Sequence, residues 1–211
     1  AAAFPLNIAQ GEFVAIYGAN LANATQQATS STYPTQLADA QVLVNGVAVP
    51  LEYVSASQIN AVFSTTNTSG VVQLTLQNSG GSTTINVLLA PAVPEIFSLD
   101  FTGAGAAAAI NGVTGAVVGA SNPLHAGDYL SLFLTGLGAT TAQNGLQYAQ
   151  TQPAITIGSQ SCRVTYAGRA PTIPGVDQIN CVVPSGVSGS ALPVIVTSGG
   201  RASNTVTLAV Q

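Results

Sequence analysis

Residues 11–21 read GEFVAIYGANL and residues 127–137 read GDYLSLFLTGL. Gly11 falls on Gly127, Glu12 on Asp128, Phe13 on Tyr129, Tyr17 on Phe133 and Leu21 on Leu137. Farther along, Gln58-Ile59-Asn60 returns as Gln178-Ile179-Asn180, and Ser79-Gly80-Gly81 as Ser198-Gly199-Gly200. Three matched blocks in one order mark an internal duplication. A chain of 211 residues made of two copies has room for two domains of about 100 residues, each with a core of its own.

The period inside each copy is two, the mark of half-buried strands. Val72, Leu74 and Leu76 alternate with Gln73, Thr75 and Gln77, and Val206, Leu208 and Val210 alternate with Thr205, Thr207 and Ala209. Asn45-Gly46 and Asn111-Gly112 suit type I′ hairpins, which need positive φ at both central residues. Gly158-Ser159, at the place of Asn45-Gly46 in the second copy, suits type II′. The run Ala106–Ala109 is too short to stand as a helix between Gly105 and the next turn, and reads as the opening strand of the second domain. The expected fold is all-β, two tandem immunoglobulin-like β-sandwiches of about seven strands each. The first spans 1–95, its edge marked by Pro91 and Pro94, and the second spans 96–211 with an N-terminal connecting hairpin.

Composition narrows the function classes. Charged residues make up 5% of the chain, against about 25% in ordinary domains, so Thr, Ser, Asn, Gln and Gly must cover the surface. There is no Lys, the basic residues are Arg163, Arg169 and Arg201, and the formal charge is −4. Nucleic-acid binding, which needs clustered cations, is excluded, as is a polybasic membrane anchor. No apolar run reaches the roughly 20 residues of a membrane span. An uncharged surface on a chain that starts at Ala1 and has no Met predicts a mature secreted chain, or a fragment of a longer one, located outside the cell or on its surface.

The order GEFVAIYGANL, then VLVNGVAVPLEYVSASQINAVF, then a Gly-Gly turn, resembles IPT/TIG-type immunoglobulin-like domains. With APAVPEIF and GAGAAAAIN between the copies, the whole chain is similar to the Solibacter-type C-terminal domain of secreted acidobacterial proteins. The resemblance implies the fold and carries over no catalytic residue. In that family the pair usually trails a longer protein.

The chemistry-bearing residues are few. The single histidine, His125, stands where the first copy has Ala9, so the fold does not require it, and it reads as an exposed turn residue near Asp128. The acids are Glu12, Asp39, Glu52, Glu95, Asp100, Asp128 and Asp177, spread along the chain. Glu12 and Asp128 are equivalent, which speaks for a shared turn rather than a carboxylate pair. Glu95 and Asp100 are the acids worth watching, for an incidental Ca²⁺ with backbone carbonyls. No catalytic residue, no cofactor and no built metal site is expected; two Cys and one His fall short of structural zinc.

Aligning the copies sets Cys162 over Val49 and Cys181 over Ala61, both on inward faces. A disulfide between them is expected, worth about 3 kcal/mol on the chain-entropy argument; two buried free thiols are the alternative. Asn23-Ala24-Thr25 and Asn67-Thr68-Ser69 are N-glycan sequons, and residues 25–32 (TQQATSST) suit O-glycans. Phe13, Tyr17, Tyr53, Tyr129, Phe133 and Tyr166 occupy matched positions and are expected in the cores. Tyr33 and Tyr148 are unmatched, read as loop residues, and are the candidate ligand contacts.

Three function classes remain: a structural subunit that joins copies of itself into a filament or surface layer, an adhesive or glycan-binding module, and a spacer of a larger secreted protein. Edge strands without Lys favour the first. The segments AAAFPLNIA (1–9) and NTVTLAVQ (204–211) are apolar and extended, and adding the first to a neighbour's sheet would bury Phe4, Leu6 and Ile8. The competing expectation is that residues 1–9 form the first strand of their own domain.

Overall fold

The computed structural model describes residues 7–30, 32–65 and 69–211. The chain divides into two compact units, residues 1–91 with 171–175, and residues 92–170 with 176–211. Both are all-β, immunoglobulin-like sandwiches, and no described residue is helical.

The first unit holds β1 (Asn7–Ala9), β2 (Phe13–Tyr17), β3 (Gln26–Gln27), β4 (Gln41–Val44), β5 (Val47–Ala48), β6 (Leu51–Val54), β7 (Gln58–Val62), β8 (Gly70–Asn78) and β9 (Gly81–Ala90). One sheet runs β1-β9-β8-β4-β5 and the other β2-β7-β6-β3. Between them lie Val42, Val44, Val49, Leu51, Ile59, Ala61, Phe63, Val72 and Val87. Val72 and Leu74 of β8 point inward, as the alternation requires, while Gln73 stays exposed. The β4–β5 hairpin turns on Asn45 and Gly46, both at positive φ (48° and 80°). The Asn45 side chain adds a bond from the Gln73 N–H, 2.9 Å.

The second unit holds β10 (Glu95–Ile96), β11 (Ala109–Asn111), β12 (Tyr129–Thr135), β13 (Thr140–Gln143), β14 (Leu146–Ala149), β15 (Ala154–Ile157), β16 (Gln160–Arg169), β17 (Asp177–Val182), β18 (Gly189–Ser198), β19 (Arg201–Ala202) and β20 (Val206–Val210). Residues 160–162 of β16 pair with β15, and residues 163–169 pair with β17. One strand therefore serves both sheets and changes from one to the other after Cys162. The same change occurs in the first unit between β5, which pairs with β4, and β6, which pairs with β7. Val49 and Pro50 sit at that break.

The duplication extends to single hydrogen bonds. The ladder Phe13↔Val62 to Tyr17↔Gln58 repeats as Tyr129↔Val182 to Phe133↔Gln178. Ahead of each, a carboxylate closes a tight turn. Glu12 Oε2 accepts from the Ala9 N–H at 2.6 Å, and Asp128 Oδ2 from the His125 N–H at 2.9 Å. Gly11 and Gly127 take the positive φ that this turn needs (73° and 90°). The shared-turn reading of these two acids holds, and His125 is an exposed turn residue. Each copy also has a β-bulge at the same place, between Leu51 and Tyr53 and between Val164 and Tyr166.

Five local expectations fail. Asn111-Gly112 is not a type I′ pair. The Asn111 side chain accepts from the N–H groups of Val113 and Thr114 (3.0 and 3.1 Å), and the positive φ moves to Gly115. Tyr17 and Tyr129 are not core residues, being 73% and 48% exposed. Leu130, Leu132 and Leu134 are fully buried, so period two puts the matched aromatics of that strand on its outer face. Tyr148 lies on a strand, β14, whose hairpin turns on Asn144-Gly145 at positive φ (51° and 79°). Ile8 is 8% exposed and seated in its own core, with Asn7–Ala9 paired in parallel to Leu88–Ala90. Its side chain is spent inside the unit and is not available to a neighbour's sheet. The second domain opens on Glu95–Ile96, with Ala109–Asn111 following as a second stretch against the same strand, β12.

Candidate functional site

Polar side chains in this chain fasten loops. Asp39 Oδ1 accepts from the Asn23 N–H (2.9 Å), and its Oδ2 accepts from the Ser79 N–H and hydroxyl (3.1 and 2.6 Å). These bonds, the Asn23 N–H first, hold its carboxyl below the usual range. Asp100 Oδ1 accepts from the Ser98 hydroxyl (2.7 Å), the Thr102 hydroxyl (2.8 Å) and the Thr102 N–H (3.1 Å), which likewise lower its pKa. All three bonds fall on Oδ1 within its own turn, and Glu95 lies on β10. Among the described residues no group of three or more His, Cys, Asp or Glu is placed to hold a metal ion.

One charged pair escapes a reading that looks for paired carboxylates. Asp177, fully buried, meets Arg169, its direct cross-strand partner on β16. Asp177 Oδ2 accepts from the Leu137 N–H at 2.8 Å, and Arg169 also donates to the Gly138 carbonyl at 2.9 Å. Burial pushes the Asp177 carboxyl up to about 6, against the pull of Arg169 and the Leu137 bond. The pair pins the 136–138 loop.

The sulfur atoms of Cys162 and Cys181 are bonded, with Cα atoms 5.8 Å apart. Cys162 stands at the point where β16 changes sheets, and the fully buried Val49 and Ala61 occupy the corresponding places in the first unit.

The candidate contact residues separate. Tyr148 is half-buried, its ring edge-on to Tyr166 with centroids 5.1 Å apart. The Tyr166 hydroxyl donates to the Arg169 carbonyl at 2.6 Å. The two rings pack on each other. Tyr33 is half-buried, and its hydroxyl pKa is raised by burial and by the charge of Glu52. Asn23 and Thr25 are exposed, as a sequon must be. Phe4, Leu6 and Asn67 lie outside the described residues.

Three surface features remain. A groove of about 470 Å³ in the first unit is lined by Ala19, Asn20, Leu21, Leu76, Asn78 and residues 80–83, without a charge. Phe101 is 97% exposed, at positive φ (61°), on the turn that Asp100 fastens. The run Ser98-Leu99-Asp100-Phe101-Thr102-Gly103 carries the turn residues that signal it. The third is β2, an edge of its sheet: only β7 pairs with it among the described residues. Its residues are uncharged, and Ala15 and Tyr17 are exposed.

No family model matches the sequence, and no curated protein matches it. Among solved structures, SGBP-B of the Bacteroides ovatus mixed-linkage glucan utilization locus, solved with a mixed-linkage heptasaccharide, is similar at 16% identity and TM-score 0.39. That similarity covers 100% of this chain and 44% of the other, so this chain spans less than half of that protein. Domains 4 and 5 of the S-layer protein SbsC match at 13% identity and TM-score 0.25, over 88% of this chain and 78% of that one. The titin Ig tandem A164-A165 matches at 10% identity and TM-score 0.25, over 98% and 92%. Similarity at this level carries nothing about binding or assembly.

Proposed function

We propose that this chain is a non-catalytic structural module of the cell exterior that joins with copies of itself into a filament or surface layer. The observation that carries the reading is β2, an uncharged strand of five residues that pairs with β7 alone among the described strands and leaves Ala15 and Tyr17 exposed. Proteins that stay monomeric guard such edges with Lys, Pro or bulges, and this chain has no Lys. The disulfide supports an oxidising compartment, and no helix of the described residues is long and apolar enough to cross a membrane. The proposal is consistent with the resemblance to tandem domains of secreted acidobacterial proteins. Sedimentation of the full chain over a hundredfold concentration range, with electron microscopy of the densest fraction, tests it. Concentration-dependent association is expected; a monomer at every concentration overturns the reading.

A second reading, an adhesive or glycan-binding module, is favoured by Phe101, an aromatic ring presented to solvent by a fastened turn, and by the uncharged groove of the first unit. On this reading Phe101→Ala weakens retention on insoluble polysaccharide at least tenfold.

Exposed Asn23 is proposed as the N-glycan acceptor, supplying hydration that the scarce charges do not. Peptide mapping of native material is expected to find it modified; an unmodified Asn23 in every peptide removes it.

A further inference from the structure

The chain contains three Asn-Gly pairs, Asn45-Gly46, Asn111-Gly112 and Asn144-Gly145. Such a pair has a reaction of its own. The backbone nitrogen that follows an asparagine can attack that residue's side-chain carbonyl carbon and close a five-membered imide. Glycine in the second place leaves the nitrogen unshielded, because it has no Cβ. Two restraints oppose the attack in a folded chain. One is a hydrogen bond that holds the carboxamide in another direction, and the other is a bond that occupies the attacking N–H.

The three pairs differ in these restraints. Asn111 has both: its Oδ1 accepts from the Val113 and Thr114 N–H groups, and its Nδ2 donates to Asp128 Oδ2 at 3.3 Å. The Gly112 N–H donates to the Tyr129 carbonyl at 2.6 Å. Asn45 has one, the bond its Oδ1 accepts from the Gln73 N–H of β8 at 2.9 Å. Asn144 has neither. Among the described residues its side chain makes no hydrogen bond, the Gly145 N–H donates to no backbone carbonyl, and both residues are exposed.

Asn45 and Asn144 are otherwise alike. Each opens a two-residue hairpin, at φ 48° and 51°, and the glycines that follow lie at 80° and 79°. Backbone conformation therefore does not separate them. The side-chain bond does.

We infer that Asn144 is a site of spontaneous modification, where the tip of the β13–β14 hairpin converts to aspartyl and isoaspartyl forms as the protein ages. The Gly145 nitrogen bonds to Asn144 Cγ and gives its proton to solvent. The Cγ–Nδ2 bond breaks, and the side-chain nitrogen leaves as ammonia with a proton from water. Water then opens the imide at one of its two carbonyls. One opening gives aspartate; the other gives isoaspartate, with the main chain rerouted through the side chain. Either product puts a negative charge on a hairpin whose residues 140–149 carry none. Isoaspartate also adds a methylene to the main chain of a two-residue turn, which displaces the closing pair Gln143↔Leu146. β13 pairs with β14 alone among the described strands, so its hold on the sheet weakens with the turn.

The test is to incubate the full chain, disulfide intact, in mildly alkaline buffer and to follow it by peptide mapping with isoaspartate detection. Modification at Asn144 is expected at least tenfold faster than at Asn45 or Asn111. Tenfold corresponds to about 1.4 kcal/mol of barrier, the size of one net hydrogen bond. In denaturant with reductant, where no restraint survives, the three rates are expected to converge. Asn144 reacting no faster than Asn45 in the folded chain overturns the inference. So does a lead of Asn144 that persists unchanged in denaturant, which would place its cause in the neighbouring sequence. Hydrogen exchange reads the consequence: the aged chain is expected to lose protection in β13 and β14, whereas Asn144→Asp, which brings the charge without the methylene, keeps it. Protection that is equal in fresh, aged and Asn144→Asp chains overturns the loosening of the hairpin.

Discussion

Arg169→Met is expected to lower the stability of the second unit by about 3–5 kcal/mol, because it leaves a fully buried carboxylate without its counter-charge. For a domain of this size the shift in Tm is on the order of 15 °C, readable by calorimetry. Arg169→Met combined with Asp177→Leu removes both charges and is expected to recover most of that loss. A Tm unchanged in the single variant would sink the argument. The same pair sets a pH dependence. Burial outweighs the pull of Arg169 and raises the Asp177 carboxyl to about 6, above its unfolded value. The folded state therefore binds a proton more readily than the unfolded one between about pH 4 and 6. The contribution of this group is fully present below the unfolded pKa and is lost as pH rises through about 6. Stability is expected to fall across that window with a slope of up to about 1.4 kcal/mol per pH unit, and to lose this slope in Asp177→Asn. Asp39 and Asp100, whose carboxyls are lowered by hydrogen bonds, act in the opposite sense and only as pH falls below about 4.

Opening the Cys162–Cys181 bond is the second large effect. The bond closes a separation of 19 residues, and on the chain-entropy argument its loss costs about 3 kcal/mol. Reductant, or Cys162→Ala with Cys181→Ala, is expected to lower the unfolding transition of the second unit and to leave that of the first unchanged. The first unit fills the same corner with Val49 and Ala61, both fully buried. Equal shifts in both transitions would show that the bond does not act within its own unit.

Much of this was legible because the chain says most things twice. The duplication placed both cysteines on inward faces and identified Glu12 and Asp128 as turn carboxylates, while the Asn-Gly pair itself located the Asn45-Gly46 hairpin. It misled where matched position was taken for burial. Tyr17 and Phe13 recur as Phe133 and Tyr129 because they share a face of the strand, and that face points outward. The Arg169–Asp177 pair has no counterpart in the first copy, and its partners meet only through the antiparallel register of β16 and β17. Asn111-Gly112 carries the signal of a hairpin, but the Asn111 side chain found backbone N–H partners in the residues that follow it. No sequence pattern marks β2 as a strand that pairs with β7 alone among the described strands, which emerges only when the neighbours of β2 and β12 are compared.

The asymmetry between the two corners has a consequence under tension. Pulled from its ends, a chain releases length as each sandwich gives way. In the first unit every residue between the ends is free to extend. In the second, the bond between Cys162 and Cys181 shunts the force past the 19-residue segment it closes, withholding about 60 Å of contour at 3.3–3.6 Å per residue. A strand of such units outside a cell would carry half its domains as springs that stretch fully and half as springs with a stop, and a reducing environment would remove the stop.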